Sequence, residues 1–134
     1  KKVSSIDERE AAFRKCAGSA ARIVDVPWET RWEFRPRLME LVAGMKKNMP
    51  AAFICVNGEI GIELKKILKE CNHAKTAVYC IDEEPEAAEL GITTIDQPIA
   101  RMAEKVYECL QQQNQKPSGW KPKVFRLKGT PVKR

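Results

Sequence analysis

Ala51-Ala52-Phe53-Ile54-Cys55-Val56 runs apolar without polar alternation and meets Asn57-Gly58 with no linker between them. Beyond that turn, Ile60, Leu64, Ile67, Leu68 and Cys71 recur on one helical stripe. This join constrains the fold more than any other feature of the chain. Antiparallel strands with one wet face alternate apolar and polar residues, whereas strands of a parallel sheet covered on both sides do not. The run therefore predicts a strand buried on both faces and followed directly by a helix. The same pattern returns downstream. Ala77-Val78-Tyr79-Cys80-Ile81 ends in Asp82-Glu83-Glu84-Pro85-Glu86, and Ile92-Thr93-Thr94-Ile95 is a shorter strand. Asp96-Gln97-Pro98 then opens a helix with Ile99, Met102, Ala103, Val106, Tyr107 and Leu110 along one face.

Upstream, Ser5-Ile6-Asp7-Glu8 has the form of a capping box, and Phe13, Cys16 and Ala17 follow at helical spacing, which predicts a helix over residues 6–20. Arg22-Ile23-Val24-Asp25-Val26 reads as a strand stopped by Pro27, and Trp28 to Arg35 as a connection. A helix starting at Pro36 carries Leu38, Leu41, Val42 and Met45 on one side, and Asn48 and Pro50 end it. Val124-Phe125-Arg126-Leu127 is expected as a last strand before a loose tail. Strands alternating with helices predict an α/β three-layer sandwich with a mainly parallel sheet. Right-handed crossovers place every strand-to-helix turn at one edge, and ligands of such sheets bind at the carboxyl ends of the strands. Those turns carry Trp28, Asn57-Gly58 and Asp82-Glu83, a polar, aromatic-lined place for a small molecule.

Charge and cysteine usage exclude several classes. The net charge of +6 lies wholly in the stretch from Leu110 to Arg134, which holds seven basic residues and no acidic one; residues 1–109 carry −1. Such a distribution is no DNA-binding footprint, and Lys beside a terminal strand protects an edge and aids solubility. Five cysteines without a CxxC, and His73 as the one imidazole, give no ligand spacing for a metal. They read as reduced, largely buried thiols of a cytoplasmic protein. Lys1–Ser5 has no apolar leader character, and no run approaches the ~18 apolar residues of a membrane span. Without G-x-S-x-G, a P-loop or G-x-G-x-x-G, the chain presents no catalytic set and no cofactor motif. His73, at a helix end, reads as a C-terminal cap. Asp82-Glu83-Glu84 has the composition to hold Mg²⁺ in a flavodoxin-like enzyme or receiver. Such sites recruit further carboxylates and a Lys from other strand ends, and the sequence offers none.

Four segments carry a family likeness. Glu8-Arg9-Glu10-Ala11-Ala12-Phe13 resembles the E-R-x-x-G-F helix start of the lactose-repressor-like (LacI/GalR) transcriptional regulators. Pro50 to Glu59 resembles their P-x-A-I-x-x-x-N-D strand and turn, Tyr79 to Glu83 their V-G-F-D-D, and Thr93 to Pro98 their T-T-V-x-Q-P. Order and spacing agree for all four across most of residues 5–113. The chain departs from the pattern at Ala12, Gly58, Cys80 and Glu83, where the family has Gly, Asp, Gly and Asp; these bear on the effector's identity more than on the fold.

The resemblance implies a periplasmic-binding-protein-like class I lobe that closes with a partner lobe around a sugar or nucleoside. It implies a homodimer, with operator DNA bound by a helix-turn-helix that is not in this sequence. In the 134 residues it implies a second lobe over 1–96, a crossover helix over 97–113, and a connector, last strand and basic tail over 114–134. A transport-type sugar-binding protein of the same fold is the alternative, which five cysteines fit poorly.

Ligand contacts are then expected from Arg9, Asn57, Asp82, Gln97 and Trp28. Arg9 has a guanidinium fork for hydroxyls or a carboxylate, though a solvated helix Arg paired with a Glu is the plainer role. Asn57 offers donor and acceptor, and is equally suited to cap a helix. Asp82 can accept from two hydroxyls or simply make a turn ahead of Pro85. Gln97 is a hinge contact or a plain helix start. The Trp28 indole can stack on a sugar face or merely cover the sheet edge.

Overall fold

The computed structural model describes residues 4–26, 33–45 and 48–134. Its helices are α1 (Ser4–Ala17), α2 (Phe34–Gly44), α3 (Gly58–Glu70), α4 (Pro85–Glu89) and α5 (Ile99–Gln115). Its strands are β1 (Ala52–Cys55), β2 (Ala77–Ile81), β3 (Thr93–Asp96) and β4 (Thr130–Val132). They lie in one sheet in the order β1-β2-β3-β4; the first three run parallel and β4 returns antiparallel beside β3. The sheet is thus mixed and mostly parallel with crossover helices, as the alternation of apolar runs and helical stripes requires.

The core lies on one face of the sheet. Phe34, Leu38 and Val42 of α2 and Ile60, Leu64, Ile67 and Leu68 of α3 are buried with Cys55, Val78 and Cys80 of the strands. Arg35 reaches from α2 to Glu63 and to both carboxylate oxygens of Glu70 on α3. Being exposed, that cluster orients the two helices more than it stabilises them. Helix α3 ends where the backbone of Asn72 turns left-handed at φ 62°. There the N–H of His73 donates to Leu68 and that of Asn72 to Lys69, a Schellman arrangement. His73 therefore caps through its backbone, and the left-handed residue is its neighbour. Lys65 is buried on the same helix, with Nζ donating to the carbonyls of Ala74 and Thr76, both at 2.9 Å, which closes the loop into β2.

The opposite face departs from the sequence reading. Burial on both faces is expected of β1, yet Ile54 is 57 % and Tyr79 43 % exposed. Helix α5 borders that side across an open cleft of about 780 Å³ shared with the strand ends and the C-terminal connector. A second cleft of about 480 Å³ runs along the β1 edge between α1, residues 22–26, α2 and α3. The α5 stripe formed as the periodicity predicts, but Ile99, Met102, Val106, Tyr107 and Leu110 are all exposed.

Two predicted strands are absent. Residues 21–26 are irregular, because a β-prone run becomes a strand only by pairing, and the 480 Å³ cleft separates it from the free edge of β1. Residues 124–127 are also unpaired, with Val124 88 % exposed, because β3's edge is taken further on by Thr130–Val132. Gly129 admits the chain there: a β-carbon at that position would lie 2.8 Å from Ile95 Cγ2 and 3.0 Å from the Asp96 carbonyl. Pro131 is tolerated because β4 is an edge strand. Helix α1 stops at Ala17, short of the expected Ala20, because Gly18 turns left-handed at φ 56°.

Candidate functional site

The carboxyl ends of the three parallel strands converge on four of the five residues expected to meet a ligand. Asn57 follows β1 by two residues, Asp82 directly follows β2, and Gln97 directly follows β3. Arg9 arrives from α1, where Nη1 donates to the Val56 carbonyl at 2.8 Å. That bond ties the guanidinium to the end of β1 next to Asn57, and Arg9 lines both clefts. Trp28 lies outside the described residues.

Asn57 caps α3: its Oδ1 accepts from the Ile60 N–H at 3.0 Å, and its own backbone is extended, at φ −148°. The capping role is therefore present, and it leaves the side-chain NH₂ group for other work. Asn57→Ala is expected to cost about 1 kcal/mol of stability, while Asn57→Ser retains most of it. Urea midpoints for the two variants measure the difference.

Asp82 has a left-handed backbone, φ 84°, a conformation rare for residues other than Gly, Asn and Asp. Its N–H continues the ladder by donating to Ile95 at 3.2 Å, and the Gln97 side-chain amide donates to Asp82 Oδ1. Gln97 thus holds one carboxylate oxygen from the next strand end.

The acidic turn is tied down from a direction the sequence did not reveal. Glu83 accepts a hydrogen bond from Thr94 Oγ1, and Arg134 Nη2 reaches its Oε1 at 2.5 Å. Arg134 Nη1 adds the Ile92 carbonyl at 3.3 Å, and its backbone N–H donates to Thr93 Oγ1 at 3.3 Å. The tail expected to be loose therefore holds a docked strand, and Arg134, two residues beyond it, clamps β2's turn to β3. Glu86 pairs with Lys66 at 2.7 Å. With Glu83 engaged in this way, the acidic turn is poorly suited to Mg²⁺. Among the described residues no three His, Cys, Asp or Glu side chains come together as a metal-binding group.

Arg134, and after it Thr94, hold the Glu83 carboxyl below its ordinary value near 4.5. The unfolded chain therefore binds the proton more readily than the folded one. This contribution to stability is complete above pH 4.5 and is lost as pH falls through the lower folded value. Urea midpoints followed from neutral pH to about pH 3 should fall less steeply for Arg134→Met than for the parent. Parallel curves for the two proteins would mean that the clamp adds nothing in solution.

Trp120 is a further residue that sequence reasoning left without a role. It lines the larger cleft with Arg9 and Gln97, and its indole Nε1 is buried without an acceptor among the described residues. A stranded donor of this kind needs a partner from water or a bound molecule. The composition of the tail gave no hint of it, because only the chain's return past α5 brings Trp120 to the strand ends.

The model of the periplasmic binding protein-like domain matches residues 1–134. The chain belongs to that family. No curated protein and no solved structure matches it. The mixed, mostly parallel sheet agrees with the family's α/β fold, and periplasmic binding protein-like domains are typically ligand-binding rather than catalytic. No helix of the described residues is long and apolar enough to cross a membrane.

Proposed function

We propose that this chain is the effector-sensing portion of a LacI/GalR-type transcriptional regulator, taking a sugar or nucleoside between two lobes. The observation that carries the reading is the gathering of Arg9, Asn57, Asp82 and Gln97 at the ends of three successive parallel strands, in a periplasmic binding protein-like domain. Their chemistry is that of polyol recognition. Asp82 keeps one oxygen for hydroxyl donors while Gln97 steadies the other, Asn57 donates through its NH₂, and Arg9 has nitrogens beyond the one on Val56. Trp120 Nε1 adds a donor at the cleft wall, and the indole of Trp28 has the chemistry of an apolar platform for a sugar face.

In this reading residues 1–96 form the second lobe, 97–113 cross to the first, and 114–134 return to close the sheet. The uncovered apolar stripe of α5 supports that division, since a helix amphipathic by sequence needs a partner for its apolar face. Effector binding shifts the angle between lobes and so the spacing of DNA-binding heads across a homodimer in the cytoplasm. Operator contact belongs to the family's helix-turn-helix. The test is made on the intact regulator, with a thermal-shift screen of sugars and nucleosides followed by operator-release assays on Arg9→Ala and Asp82→Ala. Both variants are expected to bind operator normally and to respond weakly to the effector found. Undiminished release by both would remove these residues from the site.

A further inference from the structure

Cys55 and Cys80 are register partners on neighbouring parallel strands, so their side chains leave the sheet on the same face. Adjacent strands lie about 4.8 Å apart, inside the Cα separation of about 4.4–6.8 Å that a disulfide spans. Both side chains are buried beneath α3 at Gly61. The place a β-carbon of residue 61 would take lies 3.5 Å from Cys55 Cβ and 3.6 Å from Cys80 Cβ, and overlaps the Cys80 sulfur. Glycine at this position is what leaves room for the two sulfurs to meet, and the thiols are hydrogen-bonded to each other. That bond, followed by burial, pushes Cys55 well above the ordinary thiol value, while the same bond holds Cys80 below it. Of the two sulfurs, Cys80 is therefore the readier to react as a thiolate. Cys55 also lines the 480 Å³ cleft, which gives a small oxidant a way in to the sulfur pair.

We infer that Cys55 and Cys80 form a peroxide-sensitive thiol pair that closes to a cross-strand disulfide beneath the strand-end turns. Cys80 sulfur attacks one peroxide oxygen, the O–O bond breaks, and the departing oxygen leaves as water with the Cys80 proton, giving a sulfenic acid on Cys80. Cys55 sulfur then attacks Cys80 sulfur, the S–O bond breaks, and the hydroxyl leaves as a second water with the Cys55 proton. Two thiols are oxidised by two electrons, and one peroxide is reduced to two waters. Asn57 stands two residues beyond Cys55 and Asp82 two beyond Cys80. The bond therefore fixes the separation of the two turns. That regulatory consequence rests on the ligand reading of Asn57 and Asp82; the bond itself does not.

The experiment uses the full chain with Cys16→Ser, Cys71→Ala and Cys109→Ser, so that only the pair remains. The folded protein is treated with hydrogen peroxide, its remaining thiols are alkylated, and it is digested without reductant for mass spectrometry. The expected result is a linked Cys55–Cys80 peptide lighter by two hydrogens, loss of both free thiols, and full reversal by dithiothreitol. In Cys55→Ser, confirmed as folded by its thermal melt, Cys80 is expected to stop at a sulfenic acid that dimedone traps. Hydrogen exchange at Asn57, Gly58 and Asp82 should slow on oxidation of the parent, a readout that needs no ligand and survives failure of the effector assignment. Linkage only in denaturant, or oxidation of Cys80 to sulfinic acid with Cys55 untouched, would overturn the proposal. Linkage without slower exchange would overturn its coupling to the turns.

Discussion

Leu68→Ala is expected to lower the unfolding free energy by about 2–5 kcal/mol, whereas Ile54→Ala should cost well under 1 kcal/mol. Leu68 is fully buried on α3 within the cluster formed by α2, α3 and the inner face of the sheet. Truncation there removes the transfer free energy of the lost carbons and leaves a cavity that a helix packed on both sides cannot collapse into. Against the roughly 5–15 kcal/mol that holds a domain folded, such a loss is large. Ile54 has the same chemistry one strand away but stands 57 % exposed, so most of its surface is wet before and after truncation. Urea midpoints of the two variants compare the faces directly. Equal losses would mean that the outer face is covered in solution, which the six-residue apolar run of β1 predicts.

This contrast shows where sequence pattern and observed packing part. The positions of α1, α2, α3, α5 and the parallel strands are readable, because apolar period reports which local structure can bury a face. The five-residue α4 is too short to show a period. Nor does the period report whether a face finds a partner: Ile54 and the α5 stripe carry the pattern of buried residues and remain exposed. Pairing is equally hidden. Arg22–Val26 has better strand composition than Thr130–Val132, yet the latter pairs because Gly129 fits against Ile95 and Asp96. The site divides in the same way. Asn57, Asp82 and Gln97 are legible because each follows an apolar run directly, so the chain itself places them at one sheet edge. Glu83 and Arg134 lie 51 residues apart in sequence, and only the antiparallel return of β4 joins them. The charge excess of the tail, read as solvated, hid a specific partner for its final residue.

Asp82 permits backbone and carboxylate to be separated experimentally, and its substitutions carry the largest expected functional effect. At φ 84° a β-branched side chain is strongly disfavoured, Asn is nearly as well tolerated as Asp, and Gly adopts the conformation without strain. Asp82→Val is therefore expected to destabilise the domain by about 1–3 kcal/mol, Asp82→Asn to leave stability close to the parent, and Asp82→Gly to do the same or gain slightly. Affinity for the effector should follow a different order. Hydrogen bonds to a charged group contribute about 1.5–3 kcal/mol, so losing the carboxylate should weaken binding roughly 10–100-fold in Asp82→Gly. Asp82→Asn keeps one acceptor oxygen and should fall between the parent and Asp82→Gly. It can also reverse the bond with Gln97, whose side-chain oxygen can accept from the new amide. Calorimetric titration and urea unfolding on the same set provide both orders. Binding that tracks stability across all three variants would assign Asp82 to the turn alone. Binding lost in Asp82→Gly at unchanged stability would assign its carboxylate to the ligand.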